Sequence, residues 1–273
     1  MRSPQNAAVL ITGAGRGIGK RLAIGFAQAG ARVGLLGRNQ GELDVTKLEI
    51  EHGKGTALRL RADVCDFEQV CAAVDRMTTT WGGVQILIAN AGAQGPIGPF
   101  AEQKPRDWRE VFETNVLGVL NSCRAVLPRM IQQRCGKIIV ISGTGAATPR
   151  PNFAPYAASK AAVARFVETV AEEVRDHNVQ INSIFPGEAN TSVTDEILRA
   201  GSDAAGQAEI ELAEHVRLTG GTAPEKQIQL ALFLASDRSN HVTGKLIYVQ
   251  DDWKRLETEN GRRDAFTLRR HLK

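Results

Sequence analysis

"TGAGRGIGKR", residues 12–21, places glycine at positions 13, 15, 17 and 19. Repeated glycine permits positive φ and lets backbone pass close to another group. The apolar run "AAVLIT" (7–12) precedes the stretch, and "KRLAIGFAQAG" (20–30) follows with Leu22, Ala23, Phe26 and Ala27 at a helical period. The stretch therefore predicts a strand that turns through glycine into the N-terminus of a helix. Two phosphate-binding patterns fail on it. A P-loop would need glycine at Ala14 and a hydroxyl residue at Arg21, and G-x-G-x-x-G would need glycine at Ile18 or Lys20. What remains is G-x-x-x-G-x-G on Gly13, Gly17 and Gly19, set where unpaired helix N–H groups favour a pyrophosphate. A tight strand-to-helix turn without a ligand would have the same pattern.

A chain of 273 residues suits one large α/β domain. The net charge of +4, from 34 basic and 30 acidic residues, is too balanced for a nucleic-acid footprint. Its basic excess gathers in "GRRDAFTLRRHLK" (261–273), which reads as a solvated terminal segment. Cys65, Cys71, Cys123 and Cys135 have no C-x-x-C spacing and read as buried thiols of a reducing compartment. The N-terminus has no signal-peptide pattern, and its apolar run is too short to span a membrane. The expectation is a soluble cytoplasmic protein whose partners include neither nucleic acid nor membrane, with no metal.

Seven strand-like runs recur at 7–12, 31–37, 55–63, 84–90, 137–142, 179–185 and 245–250. Segments of helical period lie between them, among them 67–81, 107–133 and 224–236. This alternation predicts a doubly wound seven-stranded parallel sheet, Rossmann-like, in a single domain. Residues 187–222 follow the carboxyl end of a strand and read as a mobile lid over the ligand crevice.

In "YAASK", Tyr156 and Lys160 stand four apart on a helical segment and share a face. A phenol with a pKa of about 10 exchanges protons poorly at neutral pH. A neighbouring ammonium favours the phenolate. Such a pair also occurs as a plain surface pair.

Five motifs in order, "TGAGRGIG", "ANAG" (89–92), "TNVLG" (114–118), "YAASKAA" (156–162) and "PGEANT" (186–191), resemble the classical short-chain dehydrogenase/reductase family over about residues 7–250. The resemblance implies that residues 1–252 form a dinucleotide-binding and catalytic domain, with 253–273 a C-terminal tail. It implies Tyr156 as general acid/base and Lys160 as the residue that lowers its pKa and bonds the nicotinamide ribose. Asn115 matches the asparagine that kinks its helix and holds a water of a proton relay, and Ser142 the serine that positions the substrate carbonyl. Cofactor contacts are implied for Gly13, Arg16, Gly17, Ile18 and Gly19, for Asp63 and Val64, for Asn90, Ala91 and Gly92, and for Pro186, Gly187 and Thr191. A homodimer or homotetramer is implied through the helices that bear Asn115 and Tyr156, both apolar over more than one face.

Two departures stand out. "ISG" (141–143) replaces "ISS", so Ser142 lies fourteen residues before Tyr156 where thirteen is usual, and Thr144 is the reserve candidate. The ending "VDGG" of the last strand is replaced by "VQDDWKRL" (249–256).

Strand 2 ends "LLGRN", with Gly37 where an acidic residue would bond a ribose 2′-hydroxyl, and Arg38 next to it. With Arg16 in the glycine turn, two guanidinium groups suit a 2′-phosphate, so NADP(H) is expected over NAD(H). The leading expectation is a ketone or aldehyde reductase acting on a carbonyl or secondary alcohol. The alternatives are a non-catalytic dinucleotide-binding regulator and a 3-oxoacyl-carrier-protein reductase. Arg129 matches one basic position of such carrier-protein reductases, and Glu172 stands where a second basic residue would be. Substrate walls are expected from 93–100, 143–153 and the lid, with Phe153, Glu188 and Ile197 as lining residues.

Overall fold

The structure is a computed structural model that describes residues 4–257 and 266–268. In chain order the elements begin β1 (Ala8–Thr12), α1 (Gly17–Gln28), β2 (Arg32–Gly37), α2 (Gln40–His52), β3 (Thr56–Arg61), α3 (Phe67–Trp81) and β4 (Ile86–Ala89). They continue with α4 (Pro105–Phe112), α5 (Gly118–Gln133), β5 (Gly136–Ile141), α6 (Ala154–Glu173), β6 (Val179–Phe185), α7 (Ser192–Ala205), α8 (Gln207–Thr219), α9 (Pro224–Leu234) and β7 (Leu246–Tyr248). All seven strands pair in parallel in the order β3-β2-β1-β4-β5-β6-β7. The order reverses between β1 and β4, which opens a crevice at their carboxyl ends.

Alternate strand residues feed two layers, as the period of two requires. Val9 and Ile11 pack with Leu22 and Phe26 of α1 and Leu230 of α9, while Ala8 and Leu10 pack with Met77 of α3, Val126 of α5 and Val163 of α6. The seven expected strands are all present. α2 was not foreseen, because only Leu43, Thr46 and Ile50 of its thirteen residues are buried and its apolar period is faint. The expected single helix over 107–133 is two, α4 and α5, separated by a π-turn at Glu113–Leu117 where Gly118 N bonds Glu113 O.

The segment 187–222 is the α7–α8 hairpin, joined through Gly206. Its ends are clipped together where Thr222 N donates to Glu188 O at 2.7 Å. Of the segment 261–273 expected to be solvated, only residues 266–268 are described; they are half-exposed and packed against the body, and the chain just before that segment is anchored too. Trp253 and Leu256 are buried, Trp253 stacking on Phe233 at 5.4 Å between centroids. Further on, Phe266 O accepts from Leu246 N at 2.6 Å and Leu268 O from Arg165 Nη2 at 2.8 Å. Apolar side chains at 253, 256, 266 and 268 recover packing free energy that solvation would forfeit. The other residues of the tail, 258–265 and 269–273, lie outside the described ones.

The cysteine expectation also needs correction. Only Cys123 is buried, and burial pushes its thiol up to about 12. Cys65 and Cys135 sit in turns, after β3 and before β5, and are exposed, while Cys71 is half-buried. None forms a disulfide. Among the described residues no helix is long and apolar enough to cross a membrane, and no group of three metal-ligating side chains occurs.

Phe26 is wholly buried in the layer that seats α1. Phe26→Ala is expected to cost about 3–5 kcal/mol of unfolding free energy, read from denaturant midpoints at unchanged m-value.

Candidate active site

The glycine turn closes by backbone geometry. Gly13 and Gly17 adopt φ of 65° and 55°, values that favour glycine, and Arg16 at the N-cap of α1 supplies no side-chain capping bond. The first-turn N–H groups of α1 are thus left without a side-chain acceptor. The turn is braced from β4. Asn90 Nδ2 donates to Thr12 O at 2.9 Å and Gly13 O at 3.2 Å, and Thr12 Oγ1 accepts from the N–H groups of Asn90 and Ala91, both at 3.0 Å. Thr12 was not singled out from the sequence. Gly19 does not face the cleft; it is buried where a Cβ would run into Gly13 O.

A cleft of about 400 Å³ lies above this turn. Gly13, Arg16, Gly17, Ile18, Arg38, Asp63, Val64, Asn90, Ala91, Gly92 and Thr191, all singled out in the sequence, line it together. Its electrostatics are more mixed than the sequence suggested. Arg38 Nη1 stands 3.7 Å from Asp63 Oδ2, and Glu42, absent from the sequence reading, brings a carboxylate into the lining beside Gly15. Asp63 also organises its own turn by accepting from Cys65 N at 3.0 Å, and Asn121 of α5 holds Val64 O at 2.9 Å. A dinucleotide fits this donor set: a glycine turn with Arg16 at a helix N-terminus on one side, and Arg38 just past the end of β2 on the other.

A second cavity of about 130 Å³ adjoins the cleft, sharing Ile18, Thr191 and Val193 with it. Ser142, Gly143, Thr144, Tyr156, Pro186, Gly187, Glu188 and Ile197 line it. Two expected walls are elsewhere. Phe153 is fully buried beneath Arg150 in the small core under α7 and α8, and nothing from 93–100 reaches the cavity. Ile97 packs into that small core instead, because an apolar side chain gains more by burial there than by facing an opening. Thr191 caps α7, its Oγ1 accepting from Val193 N at 3.3 Å, and so holds the hairpin over the glycine turn.

The Tyr156 hydroxyl lies against Gly143, thirteen residues before it, where any Cβ would collide with it. Glycine at 143 thus makes room for the phenol. Ser142 amide N–H donates to Ile184 O at 2.8 Å, while its Oγ is buried without a hydrogen-bond partner among the described residues. Such an orphan is costly unless something binds it.

Lys160 and Asn115 line neither opening. Lys160 is buried one turn along α6 from Tyr156, its Nζ 5.5 Å from the phenol ring centroid and donating to Ile141 O at 3.0 Å. Burial pushes its ammonium down to about 8. Burial pushes the Tyr156 phenol up, and the Arg150 guanidinium pulls it back. The expected lowering of the phenol by Lys160 is therefore replaced by desolvation, with Arg150 as the opposing charge. Asn115 is spent on structure: its Oδ1 accepts from Ala93 N at 2.7 Å, and its Nδ2 donates to Ala93 O at 2.9 Å and Ser159 Oγ at 3.0 Å. Ser159 in turn donates to Tyr156 O at 2.7 Å. Its place three residues after Tyr156 was the one sequence signal for Ser159; Arg150 fell within the expected wall 143–153 without being singled out.

A phenol and an unpartnered hydroxyl thus share the wall of a small cavity beside the cleft, with the Lys160 ammonium buried behind the phenol, an arrangement able to deliver a proton to a bound oxygen. The sequence profile described as short chain dehydrogenase matches residues 7–201. The chain is similar to the 3-oxoacyl-[acyl-carrier-protein] reductase FabG of Thermotoga maritima, 33% identical over 240 residues, spanning 88% of this chain and 94% of that one. Among solved structures it is similar to a gluconate 5-dehydrogenase from Burkholderia cenocepacia in complex with NADP and tartrate, at TM-score 0.79 and 31% identity over 89% of this chain and 93% of that one. It is also similar to an NAD+-bound xylitol dehydrogenase, at TM-score 0.81 and 26% identity over 90% and 98%. The chain belongs to the short chain dehydrogenase family, oxidoreductases that bind nicotinamide cofactors.

Proposed function

We propose that the protein is an NADP(H)-dependent carbonyl reductase, converting a ketone or aldehyde to the alcohol. The observation that carries this reading is Tyr156 in the wall of the cavity that adjoins the cleft and shares Ile18, Thr191 and Val193 with it. A nicotinamide dinucleotide bound in the cleft supplies the hydride for the carbonyl carbon. Tyr156 gives its proton to the carbonyl oxygen, and burial, by keeping the phenol protonated, suits it to that role. Ser142 Oγ, with no other partner, donates a hydrogen bond to the same oxygen. Lys160 stays largely protonated at pH 7 and bonds the nicotinamide ribose beside Tyr156. Asn115 acts as a support, fixing Ala93 and α6. The hairpin α7–α8 serves as the lid, and Pro186, Gly187 and Thr191 hold the nicotinamide end.

Carrier-protein ketoacyl reduction, the activity in the name of the Thermotoga maritima relative, has less support. Arg129 is committed to Gly82 O at 2.8 Å, and Glu172 pairs with Arg175. Two exposed free thiols fit a reducing, cytoplasmic setting.

Cofactor preference rests on Arg16 and Arg38 against Glu42 and Asp63. A 2′-phosphate carries about two negative charges and offers bidentate oxygens that a ribose hydroxyl lacks, so it engages Arg38 more strongly than the 3.7 Å contact with Asp63 does. NADPH is expected to exceed NADH in kcat/KM by at least about tenfold, and Arg38→Ala to erase most of that margin. Equal or better use of NADH overturns the assignment.

For the chemical step, Tyr156→Phe is expected to abolish turnover with NADPH affinity nearly intact. Ser142→Ala is expected to lower kcat by about a hundredfold. Collapse in Thr144→Val with normal activity in Ser142→Ala would instead place the hydroxyl at Thr144, and two unimpaired variants would refute a hydroxyl-assisted step.

Association is the remaining element. Val116 and Leu117 beside Asn115, with Phe166 and Val170 on α6, leave apolar surface outward, Leu117 being half exposed. A homodimer or homotetramer is expected, and sedimentation showing only monomer at micromolar concentration contradicts it.

A further inference from the structure

The cavity beside Tyr156, at about 130 Å³, is smaller than the ~300–1,000 Å³ of drug-sized sites. Phe185, Leu212 and Val216 make much of its wall from carbon. Among the described lining residues charge resides in three side chains: Arg150 from the loop after β5, Glu188 after β6 and Glu209 on α8. Arg150 is the single cation, and it is already committed. Its Nε and Nη2 donate to the two carboxylate oxygens of Glu209, each at 2.8 Å. Its guanidinium carbon sits 3.8 Å from the centroid of the Phe153 ring, with only 8% of the side chain exposed. A guanidinium paired fork-to-fork with Glu209 has its charge offset there, so it adds no net positive charge to the lining.

Glu188 has no side-chain partner among the described residues, so the lining carries one uncompensated negative charge. A carboxylate entering here would meet the uncompensated carboxylate of Glu188, which can donate no hydrogen bond. A hydroxyl or amine would meet an acceptor in want of a donor.

We infer that the cavity selects small carbonyl compounds that bear no negative charge and carry a hydroxyl or amine donor, with Glu188 receiving that donor and the Arg150–Glu209 pair excluding keto acids. The inference rests on the reductase reading for its substrate chemistry, but the charge discrimination can be measured without turnover.

Hydroxyacetone and pyruvate are similar in size and differ in this feature. With NADPH, the full chain is expected to favour hydroxyacetone over pyruvate at least tenfold in kcat/KM. Glu188→Gln should narrow the ratio from both sides, and Glu209→Gln, by releasing Arg150, should raise pyruvate use. In parallel, isobutyramide and isobutyrate, near-isosteric and unreactive, are compared for binding to the NADP-loaded protein by ligand-detected NMR. The amide is expected to bind at least tenfold more tightly, with the margin reduced in Glu188→Gln. Failure to reduce any carbonyl counts against the reductase reading alone and leaves the binding ratio to decide. Isobutyrate binding as tightly as the amide, or no binding by either, overturns the inference.

Discussion

The amide of Asn115 is the tie on which the site depends. It occupies a π-turn between α4 and α5, where the widened helix places a short side chain 1% exposed among three segments. Its oxygen and nitrogen clamp both polar groups of Ala93 after β4, and through Ser159 they fix the first turn of α6. The Asn115 amide itself, 1% exposed, would be left buried without partners if these bonds were lost, at about 1–3 kcal/mol for each group. One side chain thus sets the distance between the strand end that walls the cleft and the helix that carries Tyr156 and Lys160. The break in the helix is the condition for that reach, since a regular turn would not present the amide to both neighbours.

A second tie works across the crevice. Asn90 and Thr12 join the ends of β4 and β1, the two strands between which the sheet order reverses, and so hold the glycine turn rigid where the crevice opens. Thr191 then seats α7 over that turn, its methyl facing Gly17 and its hydroxyl spent on the helix cap. Because Thr191 and Ile18 belong to both openings, movement of the hairpin changes the cleft and the cavity together. The Arg150–Glu209 pair is the single ion pair joining this hairpin to the rest of the chain among the described residues.

What the sequence made legible follows from the range of the interactions involved. The seven strands announce themselves by local apolar runs, and the glycine turn by composition, so the sheet and its crevice could be read directly. Helical spacing puts Tyr156 and Lys160 on one face, but a surface pair has the same spacing, and only the ordered set of motifs around them marked them as a candidate site. Arg150, Glu42 and Glu209 do not, since each matters only through contacts made between distant segments, 59 residues apart in the case of Arg150 and Glu209. Phe153 was misjudged for the opposite reason: it adjoins the right loop, yet a guanidinium lies over its face and closes it off. Cys65 and Cys135 show that an apolar residue type carries no burial information when it falls in a turn.

The proton chemistry proposed for Tyr156 turns on which charge wins near it. Burial raises the phenol and lowers Lys160, so both groups are driven toward their neutral forms. Lys160 spends a donor on Ile141 O and stands 5.5 Å from the ring centroid. Arg150 lies equally far, at 5.5 Å, and its charge is shared with Glu209. Neither cation outweighs desolvation, and the phenol keeps its proton. In the proposed reduction, a protonated phenol is the acid that suits a carbonyl oxygen gaining charge. Asn115, by tying α6 through Ser159 to Ala93 after β4, holds in place the helix that carries this buried phenol.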